Sequence, residues 1–209
     1  MGKKRPMANA KLLLALSASL ALVGCVNLGG KAPPSMLVLT PSQMIAGGTV
    51  QRGEAKDALV VLIPQVPRKL DTNRVPVQVD ASNIAYIKDA IWSDKPASLM
   101  QRLLMETISA QTGRLVLHEV NAGGKAQHFL AGELVEFGVD SMRNEAVVVF
   151  DAVRLQNGLA IEKRRFEARS VVVGITPATA GAALNEAANV IAGEVATWIG
   201  KPASLEPAP

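Results

Sequence analysis

Residues 144–173 read NEAVVVFDAVRLQNGLAIEKRRFEARSVVV. Two runs rich in Val, Phe and Ile flank Asn157-Gly158, a pair suited to a type I′ turn because both of its central residues need positive φ. The runs 144–156 and 159–173 are therefore expected to pair as an antiparallel hairpin. The run before them, AQHFLAGELVEFGVD (126–140), has the same strand character and extends the hairpin to a three-stranded meander. A sheet with an apolar face needs a cover. TPATAGAALNEAANVIAGEVATWIG (176–200) supplies one. Leu184, Ala187, Ala188, Ile191, Val195, Trp198 and Ile199 fall on one helical face, with Asn185, Glu186, Asn189 and Glu194 on the other.

Upstream, short apolar runs at 35–40, 58–64, 74–80 and 83–92 are expected as strands, with Pro76 favouring an edge position for the third. SDKPASLMQRLLMETISAQTG (93–113) predicts a helix capped by Ser93 or Asp94. Pro96 fits its first turn, Leu99, Leu103, Leu104, Thr107 and Ile108 its buried stripe, and Gly113 its end. RLVLHEV (114–120) reads as a further short strand. The expected fold is α+β: a mixed, largely antiparallel sheet with a long three-stranded meander and two amphipathic helices packed on it.

The first 24 residues do not belong to that domain. Lys3, Lys4, Arg5 and Lys11 precede an uncharged run from Leu12 to Val23. The run falls short of the roughly 20 apolar residues that span a bilayer, and it matches a secretory signal of about 7–15 apolar residues. It ends in LVGC, residues 22–25, which resembles the bacterial lipobox and holds the only cysteine of the chain. That resemblance implies cleavage between Gly24 and Cys25, a diacylglycerol on the Cys25 sulfur and an N-acyl chain on its amino group. An ordinary signal peptide with an incidental cysteine is the competing reading. Two or more acyl chains give stable anchoring, since one alone binds only marginally. Val26, where an Asp commonly retains lipoproteins in the inner membrane, favours the inner leaflet of the outer membrane. The expected organisation is a signal peptide at 1–24, the lipidated Cys and a Gly/Pro-rich tether at 25–35, one domain at 36–199 and a disordered Pro-rich tail at 200–209.

Removing residues 1–24, which carry four basic and no acidic side chains, takes Lys+Arg from 22 to 18, against 18 Asp+Glu. The basic balance disappears with the signal, and with it any charge argument for nucleic acid. Aromatic residues make up only 3% of the chain, too few for stacking platforms.

Catalytic motifs are missing. The two histidines, His118 and His128, and a single cysteine form no zinc set. There is no G-x-S-x-G elbow and no P-loop. Glu133 and Glu136 face opposite sides of a regular strand, so they form no carboxylate pair unless a bulge intervenes. No enzyme, metal or cofactor beyond the covalent lipid is expected. Two features remain as candidate contacts for a partner or lipid headgroups. One is the cluster Lys163, Arg164, Arg165 and Arg169, otherwise a solvated hairpin with Glu162 and Glu167 paired across strands. The other is Trp92, otherwise a core or rim residue under the first helix.

The order of small signatures resembles the ABC-type transport auxiliary lipoproteins, the PqiC-like family. The stretch VVLIPQVPRKLDTNRVPVQVDASNIAYIKDAIWSDKPASLMQRLLMETI (60–108) carries Pro64 and Pro67, Leu70-Asp71, Ala85-Tyr86-Ile87, and Trp92 followed by Pro96. HFLAGELVEFGVD adds Gly132 and Phe137. The resemblance implies a non-catalytic, periplasm-facing subunit of an ABC/MCE-type lipid transport system linking the two membranes. Its implied partners are an MCE-domain protein and the permease and ATPase of the same system, with the membrane reached through the lipid anchor. A ring or other homo-oligomer would suit docking on a symmetric MCE assembly. A cell-wall or envelope-assembly binding module is the alternative, and a lipid-anchored hydrolase a weaker one.

Overall fold

The computed structural model describes residues 35–157 and 159–200. The expected signal peptide, Cys25, the tether up to residue 34 and the tail beyond Gly200 lie outside them. The elements are β1 (Leu59–Val61), β2 (Arg74–Gln78), β3 (Ile84–Ile91), α1 (Pro96–Thr112), β4 (Val116–Leu117), β5 (His128–Asp140), β6 (Glu145–Gln156), β7 (Leu159–Val171) and α2 (Pro177–Gly200). Short 3-10 turns occupy Arg68–Leu70 and Glu119–Asn121.

The expected meander is the spine of the sheet. β5 pairs antiparallel with β6, and β6 with β7, Gln156 opposing Leu159 across the two-residue turn. Asn157 takes φ +52°, as that turn type requires; Gly158 is not among the described residues. The other edge of β5 is shared. Its first residues pair parallel with β1, which also pairs parallel with β4. Its last residues pair parallel with β2, which carries β3 antiparallel on its far side. The sheet is thus mixed and seven-stranded, with both helices on one face.

Alternation decides which side chains meet the helices. Ala146, Val148, Phe150 and Ala152 of β6 and Phe166 and Ala168 of β7 point into the core, as do Leu130, Leu134, Phe137 and Val139 of β5. In β5 the core positions change from even to odd because a bulge lies between Leu134 and Glu136. Against them lie Leu99, Met100, Leu103, Leu104 and Ile108 of α1, and an alanine-rich face of α2 that ends in Trp198 and Ile199. Small side chains let α2 approach closely. Leu37 lies over Gly181, where a Cβ would come within 2.6 Å of a Leu37 methyl carbon.

Three local expectations are corrected. Residues 35–40 do not form a strand: only Leu37 makes a bridge, parallel to Trp92. The segment is instead tied down by side chains of α2. Asn185 Oδ1 accepts from Thr40 N (2.8 Å), Asn189 Oδ1 accepts from Ser42 N (2.7 Å), and Asn189 Nδ2 donates to the Thr40 carbonyl (2.9 Å). The polar face of α2 thus supplies the hydrogen bonds that a sheet neighbour would otherwise give. Asn189→Ala is expected to cost about 1–2 kcal/mol and to speed hydrogen exchange at the Ser42 amide, whose acceptor it removes. Unchanged protection of the Ser42 amide would contradict this strap.

Pro76 is not at an edge, since β2 lies between β3 and β5. It sits at a register shift between Arg74 and Pro76, and a bulge tolerates a residue with no N–H to give the ladder. Neither Ser93 nor Asp94 caps α1. The N-cap is Lys95, without a side-chain hydrogen bond, and Asp94 instead accepts from Lys95 N and pairs with Arg102 at 3.0 Å. Pro96 at the first helical position explains how the helix starts without a cap, because proline presets φ and has no N–H to satisfy. Gly113 ends α1 in the left-handed conformation, φ +70°.

Candidate functional site

The helices do not cover the other face of the sheet, part of which is shielded where Ala122 and Ala126 pack with Val60, and the basic cluster lies on that face only in part. Strand periodicity sends Lys163, Arg165 and Arg169 to the outer face and Arg164 to the inner one. The Arg164 guanidinium lies 5.0 Å from the centre of the Phe166 ring. A bulge at Ile161 sets this division. Leu155 opposes Ala160, but Arg154 opposes Glu162, and from there Asp151 opposes Arg165. Without that extra residue Asp151 would stand opposite Arg164.

Asp151 is the centre of the outer face, and no sequence motif singled it out. It is only 6% exposed. Arg165 Nε donates to its Oδ1 at 2.6 Å and an Arg165 terminal nitrogen to its Oδ2 at 2.8 Å, while Lys163 Nζ lies 3.3 Å away. The Arg165 hydrogen bonds, helped by Lys163 and opposed by burial, lower its carboxyl to a pKa of about 2. Arg169 is held between Glu145 (3.2 Å) and Glu167 (2.8 Å). Glu162 accepts from Trp198 Nε1 at 2.7 Å and lies 3.4 Å from Arg154. Glu162 is therefore paired across strands, whereas Glu167 pairs along its own strand.

This arrangement has a pH consequence. A carboxyl lowered from 3.8 to about 2 contributes stability that is complete above pH 4 and lost as the pH falls toward 2. Because Arg165 and Lys163 are mostly exposed, screening reduces the gain to on the order of 1 kcal/mol. Asp151→Asn should melt below the wild type at pH 6, and the difference should shrink steadily toward pH 2. A gap that did not change with pH would show that the carboxylate is not responsible.

Trp92 is corrected more sharply. It is fully buried, its ring 5.3 Å from that of Phe137, and it is not available to a partner at the surface. It is also far from Lys163 and Arg165 in the fold, on the helix-covered side. The bulge in β5 brings Glu133 and Glu136 to the same outer face, contrary to the regular-strand expectation. They do not act as a pair, because Lys69 Nζ holds both oxygens of Glu136 at 2.5 and 2.6 Å.

Two clefts bear on chemistry. One of about 290 Å³ is lined by Glu106, Ser109 and His118, the residue types of a hydrolase. Their hydrogen bonds are not those of a triad. Ser109 Oγ is engaged with Gln51 Oε1 (2.8 Å) and the Arg114 carbonyl (3.1 Å), and Glu106 accepts from Ile45 N. The other, about 410 Å³, is lined by Arg114, His128 and Arg154 among apolar residues. Burial, with Arg114 beside it, lowers the His128 imidazole below its ordinary value. Among the described residues no group of three His, Cys, Asp or Glu side chains is placed to hold a metal ion.

Fold and charges together define a two-layer α+β domain, helices over one sheet face and a lattice of mutually paired charges on the other. The chain belongs to the family of ABC-type transport auxiliary lipoprotein components, whose model it matches over residues 39–196. A solved Xanthomonas campestris protein of family DUF330 superposes with a TM-score of 0.66 at 16% identity, covering 79% of this chain and 94% of that one. A crystal structure of an uncharacterized protein superposes at 0.61 and 18% identity, covering 69% and 92%. At these identities the structures show the shared fold. No curated protein matches the sequence significantly.

Proposed function

We propose that this chain is a non-catalytic, periplasm-facing lipoprotein subunit of an ABC/MCE-type lipid transport system. It is held by diacyl and N-acyl chains on Cys25 in the inner leaflet of the outer membrane. Its domain docks an MCE-domain protein, and the permease and ATPase of the same system supply the energy. The observation that carries this reading is the family match, which spans nearly the whole described domain and begins shortly after a lipobox-like LVGC. No helix among the described residues is long and apolar enough to cross a membrane, so in this reading attachment rests on Cys25.

The test is affinity purification of the full chain from membranes in mild detergent, with partners identified by mass spectrometry. An MCE-domain protein together with permease or ATPase subunits is the expected result, and recovery of neither overturns the reading. Cys25→Ala is expected to abolish incorporation of labelled fatty acid and to release the protein from washed membranes. Continued acyl labelling of that variant would refute the anchor.

A further inference from the structure

Five large apolar side chains are at least two-fifths exposed at one end of the sheet. Val79 (47%) and Ile84 (44%) flank the β2–β3 turn, Met142 (61%) lies in the β5–β6 turn, Val171 (72%) is the last residue of β7 and Val173 (82%) lies just beyond it. Hydrogen bonds join these segments side by side. Ser141 N and Oγ donate to the Gln78 carbonyl, and Val172 N donates to the Asn144 carbonyl. The five form an apolar rim across neighbouring strands, of a kind that marks an interaction surface.

The path of the N-terminal segment points to what covers it. Leu37 bridges Trp92 in parallel, and Thr40 and Ser42 follow Asn185 and Asn189 along α2 in the same direction. β3 and α2 both begin at the rim and run away from it, since Ile84 opens β3 and Pro177 follows Val173. Traced backward from Leu37, the described chain therefore heads toward the rim. Cys25 precedes Ser35 by ten residues, a reach of at most about 35 Å.

We propose that this rim, Val79, Ile84, Met142, Val171 and Val173, rests on the lipid surface that receives the acyl chains. The inference depends on the proposed acylation of Cys25. The charges at this end are mixed: Arg143 pairs with Asp140, and the Asp80 carboxylate is bonded to Ser82 and Asn83. Contact is thus apolar and indifferent to salt. Leu159 and Ile161 are also exposed, but at the opposite end, away from the incoming chain.

The experiment uses full-length protein purified from membranes, with its acylation checked by intact mass, in Met142→Cys, Val173→Cys and Leu159→Cys forms. Acylated Cys25 has no thiol, so a polarity-sensitive fluorophore labels only the introduced site. Each form is reconstituted into vesicles of phosphatidylethanolamine and phosphatidylglycerol, with and without spin-labelled lipid as a quencher. A blue shift and lipid quenching at positions 142 and 173, kept in high salt and absent at 159, is the expected result. Acylated, vesicle-bound protein whose probes at 142 and 173 remain in water overturns the rim and leaves the anchor intact. A blue shift that follows protein concentration and escapes lipid quenching also overturns it, assigning the rim to a second copy. A mass without acyl chains overturns the anchor itself. Unlabelled circular dichroism melts verify that each form is folded.

Discussion

Trp92→Ala lowers the stability of the fold by about 3–5 kcal/mol, the usual cost of deleting a fully buried large aromatic. In a domain of this size that corresponds to a fall in melting temperature of roughly 10–15 °C. The reason is its position: Trp92 has no exposed surface, and it packs on Phe137 directly after β3, the strand that α2 covers. Its indole nitrogen has no hydrogen-bond partner among the described residues, so Trp92→Phe keeps the ring contact and sheds an unsatisfied donor. That variant should lose no more than about 1.5 kcal/mol. Urea unfolding of the two variants settles the matter. Losses of similar size in both would mean that the indole N–H, not the filled volume, matters, and a loss below about 1 kcal/mol in the alanine variant would remove Trp92 from the core. Either substitution should leave partner capture per folded molecule unchanged, because the side chain does not reach the surface.

Gly132→Ala is the second large effect, at about 3 kcal/mol of destabilisation. A Cβ at this position would collide with the Asp151 carbonyl oxygen and stand 2.7 Å from the Phe150 ring. Both belong to β6, so relief requires opening the β5–β6 ladder where Gly132 opposes Ala152 and Glu133 opposes Asp151. Gly193 provides the contrast. It lies inside α2, and a Cβ added there would have nothing within 4 Å. Gly193→Ala should therefore raise stability by about 0.5–1 kcal/mol through helix propensity. Thermal melts showing the same sign for both substitutions would reject the steric account at Gly132.

The outer-face site was less legible than the strands that build it. Asp151 stands within a run of apolar residues, an anomaly that marks a charge with a cross-strand partner. Counting outward from Asn157-Gly158, however, pairs it with Arg164. Only the bulge at Ile161 hands it to Arg165, and no residue type announces that bulge. The bulge in β5 did leave a trace, since Leu130 and Leu134 occupy even positions and Phe137 and Val139 odd ones. That phase change explains why Glu133 and Glu136 share a face. Asn185 and Asn189, read as the wet side of a helix, serve as backbone partners for Thr40 and Ser42, a role with no local signal.

What the sequence determined by itself was local and periodic. The two-residue turn and alternating runs specified the meander, and 3.6-residue periodicity specified both helices and their buried faces. Steric limits on φ and the burial of apolar stripes act over a few residues, so they can be read from a few residues. Only the tertiary structure decided what depends on distant chain meeting distant chain. It placed β1 and β2 together on one edge of β5, put Pro76 inside the sheet, sent Trp92 to the core and divided the arginines between two faces. A one-residue slip turns every following side chain over, and whether it occurs is set by packing across the whole sheet.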